Sequence, residues 1–170
     1  QENPLIAGVT GALTADEVLV FGPSAQGAQL EGSKVFSSEF LKEFSIPQAQ
    51  SFVFDDFEKA SKFVKKPKGS LPPGFVIKAD GLADGKGVTV CDSAEEALKA
   101  LKESLVDLKF GEAGKKVVIQ EKLVGFEASV HVLTDGKEFL ILPTAEDHKQ
   151  LNDGDRGPMT GGMGVVSPHQ

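Results

Sequence analysis

A glycine-rich segment with lysines near both ends is the part of the sequence best suited to chemistry. It runs from Lys78 to Gly87 and contains Gly81, Gly85 and Lys86. Glycines let the backbone approach a bulky anion and turn its N–H groups toward it, while lysines supply positive charge. The pattern predicts a phosphate-binding loop, with a flexible hairpin tip as the alternative. A Walker A loop is disfavoured because Lys86 and Gly87 lead into a strand pattern and not into a helix.

Lys78 itself lies within the apolar run 75–79. An uncompensated ammonium group in such a strand is costly, so we expect the side chain to face a negative partner. A nucleotide phosphate is the natural candidate for that partner, and a structural salt bridge is the alternative.

A second candidate segment ends a predicted strand and carries a carboxylate just beyond it. The segment consists of Gln120, Glu121, Lys122 and Leu123, and Glu127 follows. Backbone groups at a strand end can pair with the edge of an adenine, and a carboxylate can accept hydrogen bonds from ribose hydroxyls. From the chemistry alone, ordinary exposed acids at 121 and 127 are the alternative.

The C-terminal part of the sequence mixes charged residues with glycines. Asp147, His148 and Lys149 precede the pair Gly161 and Gly162. A loop of this composition can recognise a small zwitterion or a phosphate. Asp147 and His148 are too few ligands to predict a metal site, and a simple pair between these two side chains is the alternative.

Composition narrows the class of protein. The 170 residues carry a formal net charge of −7, which argues against general nucleic-acid binding. Apolar runs stay well short of the roughly 20 residues of a membrane helix. With one cysteine, Cys91, an intrachain disulfide is impossible, and we expect a buried small hydrophobe there. We therefore expect a cytoplasmic chain without nucleic-acid or membrane partners.

The first half of the sequence alternates helix and strand signals. Apolar spacing predicts a helix over 5–13, a short buried strand at 18–21, and a second helix over 33–44. A capped helix start is predicted at 55–58, and the Pro-rich, basic stretch 65–74 is predicted to be a loop. The order helix then strand is typical of an α/β layer.

The next stretch predicts a hairpin, a helix and a strand. Residues 75–79 and 88–91 read as the two strands of a hairpin whose tip is the glycine-rich segment. Residues 93–96 have the pattern of a capping box, which predicts a helix start, and 117–121 predicts the next strand.

The final stretch predicts a second hairpin followed by loop. Strands are expected at 127–134 and 138–142, joined by Asp135-Gly136 in a type I′ turn, because this dipeptide tolerates positive φ at both central residues. Residues 144–170 contain few apolar residues and many Gly, Asp and Pro, which predicts loop.

Six segments in this order resemble the phosphoribosylamine–glycine ligase family of ATP-grasp enzymes over nearly the whole chain. They are Phe21-Gly-Pro-Ser24, Gln29-Leu-Glu-Gly-Ser-Lys34, Lys78-Ala-Asp-Gly-Leu-Ala-Asp-Gly-Lys-Gly87, Phe110-Gly-Glu-Ala-Gly114, Asp147-His-Lys149 and Gly157-Pro-Met-Thr-Gly-Gly-Met-Gly164. The resemblance implies an α+β fold, a partial ATP-grasp fold preceded by the end of an α/β N-terminal domain. The implied boundaries are 1–30 for that domain, 31–74 for the first ATP-grasp segment and linker, and 75–170 for the ATP-grasp lobes.

The resemblance also implies a reaction. The family joins glycine to 5-phosphoribosylamine with ATP and Mg²⁺, through a glycyl phosphate, and releases glycinamide ribonucleotide, ADP and phosphate. Such chemistry depends on positioning and charge neutralisation more than on covalent help from the protein. No catalytic side chain is therefore assigned.

Residue roles follow from the same resemblance. Lys34 and Lys78 match ATP-phosphate ligands, and the segment from Gly81 through Gly85 and Lys86 to Gly87 matches the mobile loop over the phosphates. Gln120, Glu121, Lys122 and Leu123 match the adenine-contacting hinge, and Glu127 matches the ribose ligand. The positions that match substrate contacts are Thr144, Asp147, His148, Lys149, Gly161 and Gly162.

Three departures from the family pattern keep other readings open. Met159 stands where the family usually has Asn, and Asp84 replaces a small residue in the loop. The magnesium ligands of the family are expected beyond Gln170, and its phosphate-binding start before Gln1, so we expect an incomplete active site. The alternatives are another ATP-grasp enzyme and a catalytically silent nucleotide-binding or interaction module.

Overall fold

The computed structural model describes residues 2–66, 74–83, 87–154 and 156–169. The chain divides into two compact units, Gln1–Leu123 and Val124–Gln170. The three domain ranges expected from the sequence, 1–30, 31–74 and 75–170, stay predictions.

The first unit contains six α-helices and four strands among its described residues. Its helices are α1 (Glu2–Ile6), α2 (Val9–Ala15), α3 (Ala25–Gly32), α4 (Lys34–Glu43), α5 (Phe57–Val64) and α6 (Ala94–Leu105). Its strands are β1 (Ser51–Phe54), β2 (Phe75–Ala79), β3 (Val88–Cys91) and β4 (Val117–Glu121), with a 3-10 helix at Gly111–Lys115 before β4. None of the described helices is long and apolar enough to cross a bilayer.

The four strands form one antiparallel sheet in the order β1-β4-β2-β3. The predicted hairpin of β2 and β3 is confirmed, with Phe75 opposite Cys91 and Lys78 opposite Val88. Strand β1 was not predicted, although its aromatic residues suit a pleated, half-buried surface. Because β4 pairs with both β1 and β2, it lies in the interior of the sheet and is its most buried strand.

Helices α5 and α6 cover one face of this sheet. Leu101 of α6 and Ile119 of β4 are fully buried and belong to the core of the unit. Phe52 and Phe63 pack against this core, and their ring centroids lie 4.6 Å apart. Alternation along a strand brings every second side chain into this core. Burial of large apolar side chains stabilises the unit by about 1.5–3 kcal/mol for each one.

The starts of these two helices are fixed locally, as predicted. Asp56 accepts a hydrogen bond from the Lys59 amide at 2.8 Å and begins α5. Ser93 accepts from the Glu96 amide at 3.2 Å and begins α6, while the Glu96 carboxylate accepts from the Asp92 amide at 2.8 Å. The second bond reaches one residue further back than in a standard capping box.

The N-terminal segment departs from prediction in two ways. The helix expected over 5–13 is divided into α1 and α2 at Gly8, whose φ of 93° lies in the left-handed region. The strand expected at 18–21 is wrong, since these residues form no regular secondary structure and pair with no strand, and Leu19 is fully exposed. An apolar run becomes a strand only where another strand accepts its backbone hydrogen bonds, and no described strand does so here. Residues 65 and 66 follow α5 as a turn, and 67–73 of the predicted loop lie outside the described residues.

The second unit contains two separate hairpins among its described residues. The first joins β5 (Val132–Thr134) to β6 (Phe139–Ile141), so the strands predicted over 127–134 and 138–142 are shorter than expected. The type I′ turn is wrong. A type I′ turn needs positive φ at both central residues, and only Gly136, with φ 88°, has it. The carboxylate of Asp135 instead accepts hydrogen bonds from the amides of Lys137 and Glu138 at 2.9 and 2.8 Å. These two bonds hold the pKa of Asp135 below its usual range.

The second hairpin overturns the prediction of loop after residue 144. Strands β7 (Glu146–Asn152) and β8 (Arg156–Val166) pair with each other, with interrupted register between His148 and Gln150. Glycine-rich, polar sequence predicted loop because it lacks an apolar face. The hairpin of β7 and β8 does not need an apolar face, because the two strands satisfy each other's backbone hydrogen bonds and both sides of the hairpin stay accessible.

Cys91 is fully buried at the end of β3, as predicted. Burial raises the pKa of its thiol from 9.0 to about 11, and the carboxylates of Glu96 and Asp92 act in the same direction. Since the thiolate is the reactive form, the folded chain holds roughly a hundredfold less of it at neutral pH than the unfolded chain does.

We therefore expect iodoacetamide to alkylate Cys91 only when the chain unfolds, measured by mass spectrometry with and without urea. Equal alkylation rates in the native and the denatured chain would contradict the burial of this thiol.

The raised pKa of Cys91 has a second consequence, which concerns the free energy of unfolding. Protonated thiol favours the folded chain, so this contribution is complete below the unfolded pKa and is lost as the pH rises through 9 toward 11.

Candidate functional site

Lys78 lies on the face of the sheet opposite the helices. Its neighbours Ile77 and Ala79 are buried in the direction of α6, so alternation turns Lys78 the other way. It is partly buried and lies opposite Val88 of β3 and Val118 of β4. Its cross-strand neighbours on that face are therefore both apolar. This placement suits an ammonium group that meets an anion at a fixed position.

Lys34 is the first residue of α4 and reaches the start of the glycine-rich segment. Its ammonium group donates a hydrogen bond to the carbonyl oxygen of Gly81. Asp80, the neighbouring residue, accepts from the Ser33 hydroxyl at 2.8 Å and from the Val35 amide at 3.2 Å. The two lysines predicted to bind phosphate thus belong to one unit, one on β2 and the other beside the loop that leaves β2.

The described ends of the glycine-rich segment require glycine for two different reasons. Gly81 has φ 135°, and a Cβ there would lie 2.8 Å from the Cβ of Ala113. Gly87 has an ordinary φ, but a Cβ would lie 2.7 Å from the Cβ of Ala83. The close approach fixes where the segment leaves and rejoins the sheet. Residues 84–86, which include the predicted site residues Gly85 and Lys86 and the departure Asp84, lie outside the described residues.

The predicted hinge begins at the end of β4. Gln120 donates from its amide to the Ser51 hydroxyl at 2.9 Å, on the same sheet face as Lys78. The Glu121 carboxylate accepts from the Gln50 amide at 3.2 Å, and the Lys122 ammonium pairs with Asp92. Leu123 is exposed. Three of the four side chains are thus held inside the unit, and Leu123 presents apolar surface at the strand end.

The second unit contains a cavity of about 300 Å³ beside β7. Four predicted residues line it: Glu127, Asp147, His148 and Lys149. The Lys149 ammonium lies 3.4 Å from the Glu127 carboxylate and 3.9 Å from that of Asp147. One cation between two carboxylates can hold a ligand that carries both charges. Glu127, expected to contact a ribose, is thus engaged with a predicted substrate residue.

The remaining predicted residues support this cavity without lining it. Gly161 and Gly162 lie in the irregular part of β8 opposite Lys149, where the Thr160 hydroxyl donates to the Lys149 carbonyl at 2.8 Å. Thr144 contributes its carbonyl oxygen, which accepts from the Ser167 hydroxyl at 3.0 Å and the His169 amide at 2.9 Å. These residues shape the backbone around the cavity.

Sequence reasoning missed several residues at these two places. Ser33 and Asp80 join α4 to the glycine-rich segment, and Glu146 and Gln150 line the cavity. Ser33 had a local signal, since a serine before an apolar helical pattern is a typical N-cap. The departure Met159 also lines the cavity, opposite Gln150 in the hairpin. Among the described residues, no group of three or more His, Cys, Asp or Glu side chains could hold a metal ion.

Comparison with known proteins identifies the family of the chain. Residues 32–170 match the family model described as phosphoribosylglycinamide synthetase, ATP-grasp (A) domain. The chain belongs to this family. A phosphoribosylamine–glycine ligase from Rhodopirellula baltica is 47% identical over 98% of the chain, which spans 39% of that relative. The chain thus spans about two fifths of the length of such a relative.

The solved structures that match include a member of the same family and a more distant protein that shares only the fold. The crystal structure of the phosphoribosylamine–glycine ligase from Thermotoga maritima matches with a TM-score of 0.78 and 42% identity, over 89% of this chain and 38% of that one. The D-alanine–D-alanine ligase from Helicobacter pylori matches with a TM-score of 0.62 at 16% identity, over 83% of this chain and 41% of that one. The second likeness shows the ATP-grasp fold alone. The predicted fold class, a partial ATP-grasp fold, is confirmed.

The glycine pair on β8 provides a matched test of the cavity's backbone. Gly162 has φ 121°, and a Cβ there would lie 3.1 Å from a carboxylate oxygen of Asp147, whereas a Cβ on Gly161 would meet nothing. We expect Gly162→Ala to destabilise the hairpin by about 1–3 kcal/mol because of backbone strain. Gly161→Ala should change it by no more than about 0.5 kcal/mol. Amide hydrogen exchange in β7 and β8 measures both, and equal protection in the two variants would contradict this geometry.

Proposed function

We propose that this chain is the ATP-grasp part of a phosphoribosylamine–glycine ligase. The whole enzyme would use ATP to join glycine to 5-phosphoribosylamine and would release glycinamide ribonucleotide, ADP and phosphate, a step of purine synthesis. The observation that carries the proposal is the placement of Lys34 and Lys78 at the exit of β2, next to the start of a glycine-rich segment. The names of the relatives support it.

The chemistry follows from where negative charge develops. A glycine carboxylate attacks the γ-phosphate of ATP, the bond to the ADP oxygen breaks, and a glycyl phosphate forms. The amine of phosphoribosylamine then attacks the acyl carbon, loses a proton, and releases phosphate. Both steps place charge on phosphate oxygens, so fixed cations that neutralise it lower the barrier. Lys78 would supply such a cation from the sheet, and Lys34 from α4.

The adenosine part of ATP requires a different surface. We propose that it lies beyond the end of β4, where the apolar side chain of Leu123 is exposed. The side chains of Glu121 and Lys122 are already paired within the sheet unit, so the backbone of 120–123 offers the hydrogen bonds for the adenine edge. Glu127 is proposed as the ribose ligand.

The cavity beside β7 is proposed to bind the reacting substrates. Its volume of about 300 Å³ is at the lower end of the range for small-molecule sites. Lys149 can pair with a carboxylate or phosphate, while Asp147 can pair with an amino group. This combination fits glycine, which carries one charge of each sign. His148 on the same wall adds a ring nitrogen that can donate to or accept from either substrate.

Magnesium is implied by the family, and none of the described residues is assigned to it here. They contain no group of three or more acidic, histidine or cysteine side chains that could hold the ion. No step is therefore assigned to magnesium here. We propose that the magnesium ligands lie in sequence beyond Gln170. The cytoplasmic location expected from the sequence is a separate point and stays a prediction.

One other function is favoured by a specific residue. Met159 lines the cavity where the family usually has Asn, so this position lacks the side-chain amide that could bond to a substrate. A nucleotide-binding chain without ligase activity would follow if that loss abolished substrate binding. A different ATP-grasp ligase is less well supported, because the D-alanine–D-alanine ligase matches at 16% identity against 42% for the phosphoribosylamine–glycine ligase structure.

Calorimetric titration with ATP and magnesium tests the nucleotide site. We expect the chain to bind ATP and Lys78→Ala to weaken binding about tenfold or more, because a charge-assisted hydrogen bond contributes roughly 1.5–3 kcal/mol. Lys62→Ala, which removes an exposed lysine from α5, is the matched control and should bind as the parent chain does. Parent and Lys78→Ala chains of equal affinity would exclude Lys78 as a phosphate ligand.

A further inference from the structure

A small junction joins two elements that are far apart in sequence. Asp80 follows β2 directly, and its carboxylate oxygen Oδ1 accepts from the Ser33 hydroxyl and the Val35 amide at the start of α4. Between these two donors lies Lys34, whose ammonium group donates to the carbonyl of Gly81. Three hydrogen bonds therefore connect residues 33–35 to residues 80–81.

This junction differs from the other helix caps of the same unit. Asp56 and Ser93 accept from amides three residues further along their own helices, so each fixes a local turn. Ser33 does this for α4 as well, through the Phe36 amide at 3.0 Å. Asp80 adds a second acceptor to α4 from a different part of the chain. Ser33 satisfies one amide of the first turn of α4 and Asp80 satisfies another, so Asp80 ties this helix start to the end of β2.

The backbone around Asp80 is fixed on its other side too. The Asp80 amide donates to the Lys116 carbonyl at 3.0 Å, just before β4, and Gly81 packs against Ala113 so closely that a Cβ would not fit. Asp80 is thus anchored to the sheet by its backbone and to α4 by its side chain. The distance between Lys34 and the beginning of the glycine-rich segment is set by this residue.

We propose that Asp80 is a positioning residue, which holds Lys34 and the start of the glycine-rich segment in one arrangement that receives the triphosphate. The inference rests on the proposed function, because it assumes that Lys34 and this segment meet phosphate. A carboxylate near phosphate would repel it, but here Oδ1 is directed toward the positive end of α4 and a hydroxyl donor. The acceptor role, and not the charge, is what the arrangement uses.

The test compares ATP with adenosine, which lacks the phosphates. We expect Asp80→Ala to weaken ATP binding about tenfold, while adenosine binding changes less than about twofold, because Lys34 no longer has a fixed position. Asp80→Asn keeps an oxygen acceptor without the charge and should restore ATP affinity to within about threefold of the parent chain. The measurement is calorimetric titration of the four combinations of ligand and variant, next to the parent.

The matched control is Asp56→Ala, which removes an N-cap of the same chemistry from α5. It should lower thermal stability and leave the ratio of ATP to adenosine affinity unchanged. Where Asp80→Ala does not fold, Ser33→Ala removes one of the two donors to Asp80 and should lower that ratio in the same direction. A general loss of structure would weaken both ligands together and would contradict a positioning role.

The outcomes separate the two proposals. A parent chain that binds neither ATP nor adenosine overturns the proposed function, and this inference with it. A parent chain that binds ATP, together with an Asp80→Ala chain of equal ATP affinity, overturns the positioning role alone. Failure of Asp80→Asn to restore affinity would show that the charge matters and would also overturn the inference in this form.

Discussion

The structure of the first unit depends on one constraint, which is that α5 and α6 pack against one face of the four-stranded sheet and not against the other. Because α5 and α6 bury Ile77 and Ile119, strand alternation turns Lys78 and Gln120 to the opposite face. The same rule that builds the core therefore selects which side chains can meet a ligand. A shift of one residue in the β2 register would bury the lysine and expose the isoleucine.

Local signals predicted most of this unit. The caps at Asp56 and Ser93 and the strands β2 and β4 follow from residues that lie within a few positions of one another. The same reasoning failed at 18–21, where the sequence has the apolar character of a strand but no described strand pairs with it. It also failed at β7 and β8, where strand pairing occurs without the apolar alternation that signals it.

The candidate site residues divide along the same line. Lys78 could be found because a lysine inside an apolar strand is unusual, and the glycine-rich segment because its composition is unusual. Asp80 could not be assigned a role, because its partners Ser33 and Val35 are about 45 residues away and nothing local reveals the contact. Recognition of the family supplied Lys34, whose place beside Gly81 no pattern in its own helix indicates.

The self-contained pairing of β7 with β8 has an evolutionary consequence. None of the residues in this hairpin belongs to the buried cluster of the sheet unit, and Met159 is matched across the ladder by Gln150. A change of side chain at such a position leaves the packing of that cluster untouched. Side chains of the hairpin can therefore vary without disturbing that cluster, as long as glycine is kept at positions such as Gly162 where the backbone requires it. Descendants of one ATP-grasp ancestor could therefore differ in the side chains of this hairpin while the sheet that carries Lys78 stays the same.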